Sequence, residues 1–164
     1  MTKIRKTVRL NAVPNDLTVR EQCIVINLAL NILAERHARG ETLTNPQATT
    51  KYLQLKLGNY KNEVFACVLL DNRHRIIRYE ELFFGTINSA TIYPRVVVQK
   101  ALEANAGAII FAHNHPSGIA EPSNEDRFIT KQLKEALSLI DVRVLDHFVV
   151  SSAGFTSFAQ RGLL

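Results

Sequence analysis

Only two cysteines occur in the 164 residues, Cys23 and Cys67, far apart and in no Cys-x-x-Cys pair. That spacing signals neither a disulfide framework nor a thiolate zinc site, and both thiols are expected as small buried apolar residues. No apolar run approaches the roughly 20 residues of a membrane-spanning helix. The N-terminus lacks the apolar core of a signal peptide, so the expected location is the cytoplasm, with no membrane partner. No repeat, low-complexity tract or Ser/Gly-rich linker divides the chain. Acidic residues are missing from the first ten positions, where Lys3, Arg5, Lys6 and Arg9 carry four positive charges. Such an arm suits nucleic acid or another acidic partner, and a solvated terminus explains it equally well. The net charge of +5 adds a general attraction for acidic partners and says nothing about fold. With 46% hydrophobic and 21% charged residues, the chain has the composition of an ordinary globular domain able to bury a core.

Hydrophobic periodicity supplies the elements. From Val19 to about Arg39, Ile24, Leu28, Ile32 and Leu33 recur at helical spacing. Glu21 sits early, His37 and Arg39 late, and Gly40 provides a stop. Thr44-Asn45-Pro46 opens a second helix reaching about Leu57. At Glu63 the period changes: Val64 to Leu70 reads as a strand, Asp71-Asn72 as a turn, and Arg75 to Glu81 as the second strand of a hairpin. Leu82 to Thr86 extends or follows that strand toward Ile87-Asn88-Ser89. Pro94 fits the first turn of a helix ending near Asn105. Ala106 to Ala112 is an apolar run too short for a typical helix and reads as a buried strand. A helix from about Ser123 to Ser138, a strand from Val142 to Ser151 and a short strand from Phe155 to Phe158 complete the order. The expected fold is a mixed α/β domain, a mixed sheet flanked by helices.

The chemistry concentrates after that buried strand, in His113-Asn114-His115-Pro116-Ser117-Gly118. Two histidines one residue apart point the same way on extended backbone. Pro116 and Gly118 then turn the chain. Ser123-Asn124-Glu125-Asp126 reads as a helix N-terminus with acidic residues in its first turn, and Asp126 is able to face back toward the histidines. Two imidazoles and a carboxylate make a three-ligand site whose fourth position is left open, the arrangement that activates water on zinc. Iron also suits such a set. Asp126 is favourable in a first helical turn without any metal, and that reading stands beside ligation. His147, next to Asp146 in an apolar strand, reads as a buried hydrogen-bonded residue, as a group behind the ligands or as an alternative ligand.

The pattern resembles the JAB/JAMM metalloprotease family, and within it the RadC-like branch. That family's motif is an upstream Glu, then His-x-His-Pro, six residues, Ser, two residues and Asp. Here His113-Asn114-His115-Pro116 is followed by Ser117 to Pro122, then Ser123, Asn124-Glu125 and Asp126. Leu82-Phe83-Phe84-Gly85-Thr86 is also similar to RadC-like proteins. The resemblance covers about residues 45–164, leaving 1–44 as a basic arm and helix. It implies a JAB/JAMM cytidine-deaminase-like sandwich with an N-terminal helical extension. It further implies zinc on His113, His115 and Asp126, a glutamate as general base, and Ser123 as support for the developing oxyanion. The substrate would be a peptide or isopeptide bond in an unidentified protein. In this family the base lies just before the first core strand, which falls on Glu63. Spacing alone leaves Glu80, Glu81 and Glu103 open, with Glu81 next after Glu63. Longer RadC-like proteins also carry a helix-hairpin-helix segment, and residues 1–60 contain no Gly-rich hairpin of that sort. That absence counts against direct DNA binding, and the alternative expectation, a DNA-associated module that binds or cleaves nucleic acid, rests on the basic arm and the net charge of +5.

Overall fold

Four helices and five strands form the described part of the chain. They run in the order α1 (Val19–Ala38), α2 (Pro46–Leu57), β1 (Val64–Leu70), β2 (Ile76–Phe84), α3 (Pro94–Glu103), β3 (Ala108–Asn114), α4 (Asn124–Ser138), β4 (Arg143–Val150) and β5 (Phe155–Ser157). The structure is a computed structural model that describes residues 17–38, 46–86 and 91–164, and of residues 33–38 and 46–48 the backbone alone. The basic arm, Arg39-Gly40, the Thr44-Asn45 start of the second helix and Ile87-Asn88-Ser89 lie outside the described residues, and so do the side chains of Leu33 and His37.

The strands form one sheet in the order β2-β1-β3-β4-β5. β1 pairs antiparallel with both β2 and β3, β3 runs parallel to β4 with α4 as the crossover, and β5 pairs antiparallel with β4. This is the mixed α/β architecture expected from the pattern. β1 and β3 are buried on both faces along their whole lengths, which is why their sequences read as continuous apolar runs. Alternation splits those runs between two cores. Val64, Ala66, Val68 and Leu70 pack with Tyr52, Leu53 and Leu57 of α2. Phe65, Cys67 and Leu69 pack with Val97 and Ala101 of α3 and with Leu133 and Leu137 of α4. A fully buried leucine such as Leu53 or Leu133 contributes about 1.5–3 kcal/mol of transfer free energy.

Two expectations are corrected. Ile24, Leu28 and Ile32 do not form the buried face of α1, being 40%, 44% and 44% exposed, whereas Leu30 packs against the α2 core. The segment is apolar on several sides, so its period does not single out one face. Cys67 is buried as expected, but Cys23 on α1 is exposed.

Candidate metal centre

The site is built at the carboxyl end of β3, on the face covered by α3 and α4. His113 pairs with Phe65 on one side and Val149 on the other, and its ring stacks on that of Phe65 with centroids 6.3 Å apart. The His115 amide donates to the Val150 carbonyl at 2.9 Å, so the chain stays extended two residues beyond His113 and both imidazoles share a face. Pro116 ends the strand. Gly118 adopts φ +86°, a left-handed conformation that glycine accepts without strain, and its amide closes a turn onto the His115 carbonyl at 3.1 Å. That turn returns the Ile119 carbonyl to 2.8 Å from His115 Nδ1. A carbonyl only accepts, so Nδ1 carries the proton and Nε2 of neutral His115 presents a lone pair.

Asp126 arrives from the first turn of α4. Ser123 caps that helix in a capping box: its hydroxyl oxygen accepts from the Asp126 amide at 3.0 Å. Asp126 Oδ2 in return accepts from the Ser123 amide and hydroxyl, each at 2.7 Å. Capping and facing the histidines are thus not alternatives. Oδ2 takes the cap, while Oδ1 lies 3.2 Å from His113 Nε2. Oδ2 is also 3.6 Å from His115 Nε2, and the two Nε2 atoms are 3.0 Å apart. One donor atom from each of His113, His115 and Asp126 falls within 4.8 Å of the others.

Lone pairs brought this close in a buried pocket repel unless protons or a cation lie between them. Burial raises the Asp126 pKa, yet the adjacent His113 and His115 imidazoles and the Ser123 hydroxyl outweigh it and hold the carboxyl well below the usual carboxylate range. The hydrogen bond to Asp126 raises the His115 pKa, with burial opposing and the Ile119 carbonyl and Glu63 carboxylate adding to it. A proton and a metal ion therefore compete for one spot. Two imidazoles and a carboxylate are donors that zinc accepts, so the residues fit the group.

Glu63 directly precedes β1. Its amide and carbonyl bond to Thr86 and Gly85, and it is buried. Extending the β1–β3 register one step past Phe65 and His113 along the same face sets Glu63 opposite His115. Its carboxylate acts on the His115 charge, yet it is not one of the three converging donors. The other glutamates are elsewhere. Glu81 pairs with Ala66, on the α2 side of the sheet, and accepts from the Tyr60 and Tyr79 hydroxyls. Glu80 lies opposite Cys67, ion-paired with Arg78 and Lys100. Glu103, exposed near the end of α3, binds Lys100 and Gln99. Ser123, expected at the oxyanion, directs its proton to Asp126 Oδ2 in this structure.

Behind the three converging residues lies a group that the sequence only partly reveals. His147, fully buried on β4, sits with Nε2 2.8 Å from His113 Nδ1 and Nδ1 2.6 Å from Thr130 Oγ1. Burial pushes its pKa well below the ordinary value, and neighbouring His113 adds to this. Thr130 was findable, being four residues after Asp126 on one face of the helix. Asn114 points to the opposite side of the sheet. Its Oδ1 accepts from the Val64 amide at 2.8 Å, and its Nδ2 donates to the carbonyls of Tyr60 (3.3 Å) and Asn62 (3.0 Å), anchoring the segment that carries Glu63.

These features define a mixed α/β domain arranged around a buried His-His-Asp group able to hold a metal ion. The chain belongs to the RadC-like JAB domain family, whose model matches residues 43–163. It is similar to two UPF0758 proteins of Vibrio cholerae, 56% and 54% identical over 140 residues, in each case 85% of this chain and 88% of the relative. A UPF0758 protein of Thioalkalivibrio sulfidiphilus is 54% identical over 140 residues, but these amount to 62% of its length. The chain thus spans less than two thirds of that longer relative.

Proposed function

We propose that this chain is a zinc-dependent hydrolase that cleaves a peptide or isopeptide bond with activated water. The observation that carries the reading is the convergence of His113 Nε2, His115 Nε2 and an Asp126 carboxylate oxygen on one buried point. A zinc ion held there would supply Lewis acidity and bring the pKa of water to near neutrality. Glu63, buried beside His115 and outside the donor set, accepts the proton of the attacking water and returns it to the leaving amine. Ser123 holds the Asp126 carboxylate through Oδ2. Its hydroxyl supports an oxyanion only after leaving that bond.

The test is Glu63→Gln beside wild type, screened against peptide and isopeptide substrates with chelator-treated protein as blank. The variant is expected to keep its metal and lose turnover. Turnover in the variant would remove Glu63 as the base, and no hydrolysis by metal-loaded wild type would remove the hydrolase reading.

A further inference from the structure

Three short hydrogen bonds run from His113 into the core, and together they admit only one arrangement of protons. Thr130 Oγ1 lies 2.5 Å from the Asp126 main-chain carbonyl. Two oxygens this close require a proton between them, and the carbonyl has none, so the Thr130 hydroxyl donates to Asp126. The 2.6 Å contact of Thr130 Oγ1 with His147 Nδ1 then needs its proton from the imidazole. His147 has no solvent exposure, and the rings of Phe65, Phe111 and Phe158 lie around it at centroid distances of 4.7–5.9 Å. Both of its ring nitrogens are taken by uncharged partners, Nε2 by His113 and Nδ1 by Thr130, so one proton is all it holds in these apolar surroundings. Its Nε2 is bare, and His113 Nδ1, 2.8 Å away, must be the donor. The remaining nitrogen of His113, Nε2, is left as a lone pair aimed at His115 and Asp126.

We propose that Thr130 and His147 are positioning residues that lock His113 in its Nδ1–H tautomer, so that Nε2 is always the nitrogen offered to a metal ion. The relay ends on the carbonyl of Asp126, itself one of the three converging residues. The α4 turn that delivers the carboxylate therefore also sets the proton pattern of His113 across the sheet. His115 is locked independently, by the Ile119 carbonyl. In water a free imidazole exchanges between tautomers, and a ligand whose Nε2 carries a proton must shed or move it before binding. This inference deepens the metal-binding half of the proposed function and makes no use of the hydrolase half.

The first test is independent of metal and of turnover. In metal-free protein labelled with nitrogen-15 at histidine, ring-nitrogen shifts distinguish protonated from bare nitrogens. His113 and His147 are each expected to show protonated Nδ1 and bare Nε2, with the proton between His113 and His115 carried by His115. A protonated Nε2 on His113 would overturn the proposal even if zinc binds well. The second test is Thr130→Val, which keeps the side chain's shape but removes its oxygen. Without that acceptor, His147 gains the Nε2–H form, which turns His113 to Nε2–H. The expected result is a mixed His113 tautomer and zinc affinity about 10–100-fold weaker, as for other groups that orient a ligand. Thr130→Ser is expected to restore both. An unchanged tautomer and affinity in Thr130→Val, or a Thr130→Ser variant as impaired as Thr130→Val, would overturn the relay. Should Thr130→Val fail to fold, the wild-type tautomer measurement still decides.

Discussion

Replacing Asn114 with Ala separates the two halves of the site, because this residue supports Glu63 from one side of the sheet while the histidines work on the other. The side chain makes three hydrogen bonds: from the Val64 amide, and to the carbonyls of Tyr60 and Asn62. Val64 is buried, so its amide loses its partner and gains no water, at about 2 kcal/mol. The two carbonyls sit nearer solvent and lose about 0.5 kcal/mol each. The sum is about 3 kcal/mol, or a fall in Tm of about 6–12 °C for a chain of this size. Thermal unfolding of chelator-treated protein, followed by circular dichroism, measures it. Metal content is expected to stay at the wild-type level, since His113, His115 and Asp126 are not touched. Under the proposed hydrolase function, turnover is expected to fall, because the segment carrying Glu63 is released. A Tm within about 2 °C of wild type would refute the energetic reasoning, at about 2–4 °C per kcal/mol. Metal lost while Tm holds would refute the division of labour.

Two further outcomes follow from local geometry. Ser123→Ala removes both the helix cap and the hydroxyl bond to Asp126 Oδ2, so metal-free protein is expected to lose about 1 kcal/mol of stability. Wild-type stability in thermal or denaturant unfolding would mean that the capping box contributes nothing. Burial, with the nearby Glu80 carboxylate, pushes the Cys67 thiol up to about 12, whereas Cys23 is exposed. Iodoacetamide applied to native protein should therefore label Cys23 alone, with Cys67 reacting only after denaturation. Peptide mapping that finds native Cys67 alkylated would contradict its burial.

The parts legible in the sequence were those governed by short-range rules. β1 matches its expected span because an apolar run between Glu63 and Asp71 has no competing period. The three converging residues were legible because strand alternation, a Pro-Gly turn and a helix cap each act within a few positions. The glutamate question was not. Going from Phe65 to Ala66, the partner on β2 jumps from Phe83 to Glu81, a bulge that turns Glu81 to the α2 side. In a regular ladder Glu81 would share the face of Cys67, and no local signal in the sequence marks the irregularity. Thr130 shares the Asp126 face of α4, but its meeting with His147 was equally hidden, since it depends on how far α4 reaches across two parallel strands. The face of α1 failed for a third reason: with apolar residues on several sides, tertiary contact rather than period chooses which are covered.

The proposed function requires His113, His115 and Asp126 to hold a metal ion. Elemental analysis of purified, dialysed protein, wild type beside His115→Ala, tests it most directly. His115 is the most suitable position because its side chain retains 18% exposure, against 1% for His113, so truncation leaves the core intact. The result expected is one zinc ion per chain in wild type and none in the variant. No metal in either protein, or the same amount in both, would contradict the claim.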